Sequence, residues 1–504
     1  MKNLFKFNLL VVAISTLFFT SCEDDKETTT IDIAKTLEEA LEAEYSTEDP
    51  EESKQNIEDE AVQLVNSIKQ LEQEEAIDMM MELSTMMESL GESSEPAAAN
   101  SILNLPMRTA SIIADEDKST ADVYTALKSA TAETFNLSDK YEELKGTYVY
   151  NFDTKEFDEP TVNSEAIVFQ FPGKEGDPTN TAELKISGLE VKTIAEPRED
   201  LEINGALEVP TALTSSLKYN NKEVMTYTLA ASYMDDATPT SLSNIITIGD
   251  FSFTQVLNHS QYAEASFDFS LKNGDSILLA FGAEAAGDWS EENIDANTYE
   301  ESETYTWWGY EYNASTGQYE QVEHSETDIW NETYMEEIIN QGNAYVQLMN
   351  LKAVGKVNIK ALVDGEQEFE EEHEADRDEY GDYPDEIKEA EADNLVELAN
   401  QHVQLVLTYA DKNTLIAALE AYKVQETETY SYDGTTYTNT DYYLDFRMVF
   451  QDNSKVSMET FVEDELSSFF EALNDFIKTM NTNYDAGFEE IDPSESDDEQ
   501  STAA

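Results

Sequence analysis

The stretch "ASFDFSLKNGDSILLAF", Ala265 to Phe281, decides the fold. Phe267, Phe269 and Leu271 alternate with Ser266, Asp268 and Ser270, the period of two in which successive side chains leave opposite faces of a strand. Asn273-Gly274 follows, and this dipeptide between alternating segments is the strongest short hairpin signal a sequence carries. A second apolar run begins at once. The segment therefore predicts two antiparallel strands with one apolar and one wet face.

Working outward, "KEVMTYTLAASYM" places Met225, Tyr227, Leu229, Ala231 and Tyr233 on one side and Thr226, Thr228 and Ser232 on the other, with Asn220-Asn221 as a turn before it. Val403, Leu405, Leu407 and Tyr409 alternate likewise, as do Tyr442, Leu444, Phe446, Met448 and Phe450. At both ends the period lengthens toward 3.6. Ile57, Ala61, Leu64, Val65, Ile68 and Leu71 form a helical stripe after Pro50, and Ala76, Met79, Met80, Leu83, Met86, Met87 and Leu90 form another ending at Gly91. The second stripe is a methionine face, which suits either core packing or an adaptable binding groove. Leu415 to Tyr422 reads as a short helix, and Leu466, Phe469, Phe470, Leu473, Phe476, Ile477 and Met480 as a broad covering one. The expectation is an α+β fold: a curved antiparallel meander, half-barrel or two packed sheets, with an N-terminal helical region and a C-terminal covering helix.

The organisation that follows is a signal at residues 1–21, an acidic tether at 22–30, a helical region at 31–91 and a linker at 92–118. A β-rich region with a leading helix covers 119–300, and an aromatic-rich hairpin with strands covers 301–365. Residues 366–393 read as an acidic loop, 394–484 as an α+β region and 485–504 as a disordered acidic tail. "YVYNFDTKEFD" from Tyr148 and "YEYNASTGQYE" from Tyr310 share Tyr-x-Tyr-Asn, and "YSYDGTTY" from Tyr430 repeats Tyr-x-Tyr before Asp-Gly. Three such short matches suggest duplicated hairpins.

The chain's only cysteine, Cys22, stands in "TLFFTSCEDDKE". Lys2 and Lys6 precede an apolar run from Leu9 to Phe19 that is too short to span a bilayer, for which about 20 residues are needed, so the start reads as a secretory signal. Small residues followed by cysteine resemble the bacterial lipoprotein signal, which implies that Cys22 is diacylated and becomes the first mature residue. Lipid chains of this kind anchor a protein at about 0.8 kcal/mol per buried methylene. With its thiol so used, disulfides, cysteine-ligated zinc and a cysteine nucleophile are all excluded.

The formal net charge of −79 argues against nucleic acid or anionic lipid headgroups as partners, since both attract basic patches. It suits a solvated surface. His259, His324, His373 and His402 are scattered without ligand spacing. "DEDKSTADV" from Asp115 offers Asp115, Asp117 and Ser119 to an EF-hand, but Thr120 and Ala126 stand where glycine and glutamate are required. "DRDEYGD", Asp376 to Asp382, lacks the closing glutamate at Ile387. No metal, cofactor or catalytic residue is expected, although a glycosidase-type carboxylate pair would be invisible among so many acids.

The richest local feature is Trp307, Trp308, Tyr310, Tyr312, Tyr319 and Trp330. Flat rings beside acids stack on sugars or anchor protein interfaces, and the same rings on a hairpin also fit the filling of a sheet's core.

Cys22 followed by Glu23, Asp24 and Asp25 resembles the acidic export signal of Bacteroidota surface lipoproteins. "LKGTYVYN", "FQFPG" and "MVFQDNSKVSME" are similar to segments of the large lipoproteins of that group. The resemblance implies an outer-membrane lipoprotein at the cell surface, or alternatively on the periplasmic face, held to the membrane by its N-terminal lipid. It carries no activity or site with it. The expectation is a non-enzymatic binding or structural protein for a glycan, an apolar ligand or a partner protein; the alternative is an extracellular polymer hydrolase.

Overall fold

The computed structural model describes residues 33–88 and 137–478, with short gaps inside both ranges. Cys22, the signal, the tether, the linker, the Asp115 segment and the acidic tail lie outside the described residues. Helices α1 (Ile33–Leu41), α2 (Pro50–Ile68), α3 (Glu75–Glu88) and α4 (Leu137–Leu144) precede the strands. Then come β1 (Gly146–Asn151), β2 (Glu156–Phe157), β3 (Ile167–Phe171), β4 (Ala182–Ile194), β5 (Leu207–Tyr219), β6 (Lys222–Tyr233), β7 (Pro239–Ile248), β8 (Phe251–Ser260), β9 (Glu264–Asn273) and β10 (Ser276–Gly287). A short helix α5 (Glu291–Ala296) leads to β11 (Thr298–Asn313), β12 (Gln318–Thr333), β13 (Ile339–Leu348) and β14 (Leu351–Val357). Helices α6 (Ile359–His373) and α7 (Asp385–His402) follow, and then β15 (Val403–Tyr409), β16 (Thr414–Tyr432), β17 (Thr435–Phe450) and β18 (Lys455–Ser457).

All strands but β11 and β12 join one sheet of 16 strands in the order β18-β17-β16-β15-β14-β13-β10-β9-β8-β7-β6-β5-β4-β3-β1-β2. Neighbours are antiparallel except β1 and β3. The ends of this order do not meet, so the sheet is open and not a closed barrel. Register shifts interrupt the ladders of β4 with β5, β9 with β10 and β15 with β16, among others, and each such bulge bends and twists its strand. Long sheets curl by this means.

Turn chemistry sets the register. Asn220 and Asn221 both have positive φ, 49° and 65°, the requirement of the tight turn between β5 and β6. In the opening stretch the last pair is Asn273 with Ser276, so the loop is Gly274-Asp275. Gly274 has φ 57°, which fits the hairpin that places glycine first.

The pairs Leu217–Met225, Phe253–Leu271, Phe269–Phe281, Phe281–Val346, Leu351–Tyr409 and Leu419–Met448 lie on one face, which is apolar from end to end. Helices α2, α3, α4 and α7 cover it. Asp49 starts α2 by accepting the Glu52 amide at 3.0 Å, with Pro50 in the first turn. Ile57 then packs with Leu351, Tyr409 and Phe450, and Leu64 with Phe251, Phe267 and Phe269. Asn56 donates to the Tyr409 hydroxyl at 3.1 Å; burial, with Glu48 hydrogen-bonded to it, pushes this phenol up to about 12. The methionine face of α3 fills the core, since Met79 and Met86 pack among Phe171, Leu184 and Leu217.

The opposite face is polar over β5 to β9, where Thr214 pairs with Thr228 and Thr254 with Ser270. Toward β10 to β16 it turns apolar, and α1 lies there. Ile33, Leu37 and Ala40 pack on Ala280, Tyr345, Val354, Val406 and Leu415. Each buried aliphatic side chain contributes about 1.5–3 kcal/mol before entropy is counted.

Two expectations are corrected. Leu415 to Tyr422 is not a helix but the first half of β16. Leu415, Ile416, Ala417 and Ala421 are buried because β15 and β17 flank the strand while α1 covers one face and α2 and α7 the other, and a strand buried on both faces loses the alternation that identifies strands. The acidic segment 366–393 is not one loop: residues 366–373 are the second half of α6 and 385–393 the first half of α7. Asn358 caps α6 by accepting the Ala361 amide at 3.2 Å, glutamate is a good helix former, and the charges sit on solvated faces. In the covering segment, Leu466 packs near Phe450 and Phe461, and Phe469 and Phe470 meet edge to face at 5.3 Å; Leu473, Phe476, Ile477 and Met480 lie outside the described residues.

Candidate functional site

Strands β11 and β12 form a sheet of their own. Their ladder runs unbroken from the pair Thr298–Thr333 to Asn313–Gln318. The ribbon is inserted between β10 and β13, and α5, which leads into it, contacts β11. β11 and β12 pair with each other and are not strands of the large sheet.

Register divides the six aromatic residues singled out above. The pairs Trp308–Glu323, Tyr310–Gln321 and Tyr312–Tyr319 place Trp308, Tyr310, Tyr312 and Tyr319 on one face near the tip. Trp307 pairs with His324 on the other face. Trp330 pairs with Glu301, six residues down the strand from the Trp307 pair, which is about 20 Å at the usual strand rise. Four of the six thus form a group and two do not. Gly309 lies on the Trp307 face, where an added Cβ would stand 2.7 Å from His324 Nε2; the absence of a side chain there makes room for the imidazole.

The hairpin motif explains the tip. In the first copy Tyr150 pairs with Phe157 and Asn151 with Glu156; in the second, Tyr312 pairs with Tyr319 and Asn313 with Gln318. The two registers are identical, each closing a four-residue loop. In the first copy the Asn151 side chain accepts the Asp153 amide at 3.0 Å and donates to Asp158 at 3.0 Å, the local capping for which asparagine is used in turns. The third copy pairs Tyr430 with Tyr437 and Tyr432 with Thr435, leaving a two-residue connection at Asp433-Gly434.

Strand direction fixes where these elements emerge. β10 and β13, β14 and β15, and β16 and β17 are adjacent antiparallel pairs, and the ribbon, the α6–α7 pair and the distal half of β16–β17 all leave the same rim. At the base of the β16–β17 arm, Tyr422 donates to Asp445 at 2.6 Å. The Arg447 guanidinium lies 4.8 Å over the Tyr422 ring, with its Nε 3.4 Å from Glu420. Lys455 also reaches Glu420, and these two cations hold the Glu420 carboxyl below its ordinary value. On the other face Lys423 reaches Glu389 at 3.0 Å and Asp393 at 2.8 Å, and lies 5.6 Å over the Tyr442 ring. Between α6 and α7, burial, then Glu366 and Glu370, push the Glu391 carboxyl above its ordinary value, with Arg377 opposing them.

One polar cluster went unread in the sequence. Tyr345, 1% exposed, donates to Asp268 Oδ2 at 2.9 Å. Lys352 lies 5.4 Å over the same ring, and burial pulls its ammonium down while Glu39 and Asp268 oppose this. Burial also raises the phenol far above its ordinary value. The cluster underlies α1 and fixes Tyr345 in its seat. Asp268 looked like a wet-face residue of the opening stretch; only the pairing of β10 with β13 brings Tyr345 across from Gly282 and so into its reach.

The histidines stay apart. His259 is on β8 with burial lowering its imidazole; His324 is on β12; His402 ends α7; His373 Nδ1 lies 2.9 Å from Asp376. Among the described residues no group of three His, Cys, Asp or Glu is placed to hold a metal. The Asp376 segment lies between α6 and α7 and falls partly outside the described residues. Comparison with protein-family models, with curated proteins and with solved structures finds no match.

Proposed function

We propose that this chain is a lipid-anchored, non-enzymatic binding protein of the bacterial outer membrane, displayed at the cell surface and holding its ligand on the aromatic face of the β11–β12 ribbon. The observation that carries the reading is the register that sets Trp308, Tyr310, Tyr312 and Tyr319 together on a ribbon outside the large sheet. Aromatic rings with few rotatable bonds offer broad contact area at low entropic cost, which suits a sugar face, an apolar ligand or a protein surface. Membrane attachment rests on Lys2, Lys6, the run from Leu9 to Phe19 and Cys22.

Retention on a glycan array tests the site: Trp308→Ala with Tyr310→Ala should abolish it, while Trp307→Ala on the opposite face leaves it largely intact. Folded wild-type protein without retention, or retention that survives the double variant, overturns the glycan form of the reading. Protease added to intact cells should remove the chain, and Cys22→Ser should release it or leave it unprocessed. Protection until lysis would place it on the periplasmic face.

A further inference from the structure

The face of the large sheet opposite its core is unlike the rest of the molecule over β5 to β8. The residues that point there within 212–216, 226–232, 241–247 and 252–258 include no Asp, Glu, Lys or Arg, in a chain with 108 acids. None of them is aromatic, and most are Ser or Thr. A solvated face ordinarily carries charged side chains of both signs; here short hydroxyls replace them. Among the described residues no helix packs on this side. α2, α3 and α4 lie on the apolar face, and α1 reaches only β10 and the strands beyond it.

Register draws the hydroxyls into rows. Lys185 pairs with Ser216, Ser216 with Thr226, Thr226 with Thr247, Thr247 with Ser252 and Ser252 with Lys272. Four hydroxyls thus cross four neighbouring strands in line, with an amine at each end, over about 24 Å at the usual strand spacing. Two residues along each strand, Thr214, Thr228, Ile245 and Thr254 form a second row, about 7 Å from the first. Ser243 stands next, between Ala230 and Val256. It is 3% exposed and its hydroxyl oxygen meets no partner, so the face holds a polar atom that the fold leaves unsatisfied.

These features select among partners. A protein interface draws its affinity from aromatic and Arg anchors, and Ser and Thr are poor ones. An anionic polymer is repelled by a net charge of −79. An apolar ligand would strip water from the hydroxyls without replacing its hydrogen bonds. A neutral polysaccharide meets none of these objections. Its hydroxyls donate and accept as those of Ser and Thr do, and short side chains lie low enough for an extended polymer to rest across the rows. Each such contact is weak alone, so binding has to be summed along the polymer.

We propose that the uncharged hydroxyl face of β5 to β8 docks a neutral polysaccharide chain. This site is separate from the aromatic ribbon and does not depend on it.

The test uses the full chain in affinity electrophoresis against neutral glucans, mannan, xylan and galactan. At least one polymer should retard the wild type, and its monosaccharide should fail to compete at equal sugar concentration. Thr226→Val with Thr247→Val keeps shape and charge and removes two hydroxyls from the middle of the first row. It should weaken retardation about tenfold, the combined effect of two hydrogen bonds. Thr438→Val with Thr440→Val makes the same exchange on β17 and should change retardation less than about twofold. No retardation by any polymer, equal effects from the two valine pairs, or full competition by the monosaccharide overturns the proposal. Because a variant could disturb the sheet, amine labelling of the wild type gives an independent reading. The polymer should slow modification of Lys185 and Lys272 and leave the exposed Lys155 unchanged; unaltered labelling of the first two overturns the proposal. A dimer that the Thr226 and Thr247 exchange abolishes would make a second copy the occupant, with the same consequence. Retardation that survives this exchange but is lost in Trp308→Ala with Tyr310→Ala assigns the glycan to the ribbon and removes this face; the opposite pattern keeps the face and removes the glycan form of the ribbon reading.

Discussion

Replacing Tyr345 with phenylalanine removes one hydroxyl and leaves almost everything else in place, which makes it the sharpest test of how α1 is held to the sheet. The Tyr345 ring is buried among Ile33, Leu37, Ala280 and Val354, and a phenylalanine keeps those contacts and the ring under Lys352 at 5.4 Å. What is lost is the 2.9 Å bond to Asp268. Hydrogen bonds to charged groups contribute about 1.5–3 kcal/mol. Asp268 is only half-buried and recovers part of its solvation from water, so the lower end, about 1.5 kcal/mol, is expected. That is roughly a tenfold change in the opening equilibrium of the segments concerned. Urea unfolding of wild type, Tyr345→Phe, Asp268→Asn and the double variant closes a cycle whose coupling should be about 1.5 kcal/mol. Hydrogen exchange should show faster opening of residues 33–41 and 339–348 in the single variants. Coupling near zero, with the two effects additive, would refute the claim that this bond holds the Tyr345 seat.

Two further perturbations follow from the same geometry. At Gly282 an added Cβ would lie 2.7 Å from the Tyr345 ring, 2.8 Å from the Phe267 carbonyl and 3.2 Å from Ile33 Cδ1, so Gly282→Ala should cost about 1–3 kcal/mol and expose α1 to proteolysis; wild-type stability in thermal unfolding would show that the seat has slack. Glu391 is held above its ordinary carboxyl value by burial, Glu366 and Glu370, so its ionised form destabilises the fold: the cost is full above the folded value, shrinks as pH falls through it, and is absent below the unfolded one. Glu391→Gln should therefore stabilise at neutral pH by less than about 1 kcal/mol, given partial solvent screening. The advantage should vanish near pH 4, about the unfolded carboxyl value, and a pH-independent difference in unfolding would contradict this assignment.

The meander was legible wherever one face met water. Met225, Tyr227 and Leu229 against Thr226 and Thr228, or Phe267 and Phe269 against Ser266 and Asp268, write their register into the chain because solvent enforces the alternation. At Leu415 to Ala418 both faces are covered and the signal disappears. Helices dense in glutamate fail in the opposite way: α6 has no buried residue, so no apolar stripe marked it, and only the Asn358 cap and glutamate's helix propensity could have revealed it. The candidate site was half legible. The aromatic cluster was visible from composition, but adjacent residues such as Trp307 and Trp308 must leave opposite faces of a strand, and that rule alone separates them. Asp268 with Tyr345 was not legible at all, since 77 residues separate them.

The common origin of the projections lies in parity. In an antiparallel meander every second turn falls on the same rim, so insertions between β10 and β13, between β14 and β15, and within β16–β17 must emerge together, whatever their sequences. The other rim is occupied by α2, stitched there through Tyr409 and through the Asn350 amide, which donates to Glu60 at 3.4 Å. A chain that carries nine acids and eight aromatic residues within residues 298–333 of one such insertion, and glutamates by the turn on the next, has concentrated charge and aromatic residues where the sheet's own hydrogen bonding makes no demand on them. The β16–β17 arm shows what that chemistry does when a cation is available, because Arg447 and Lys423 are each taken up by tyrosine and carboxylate together.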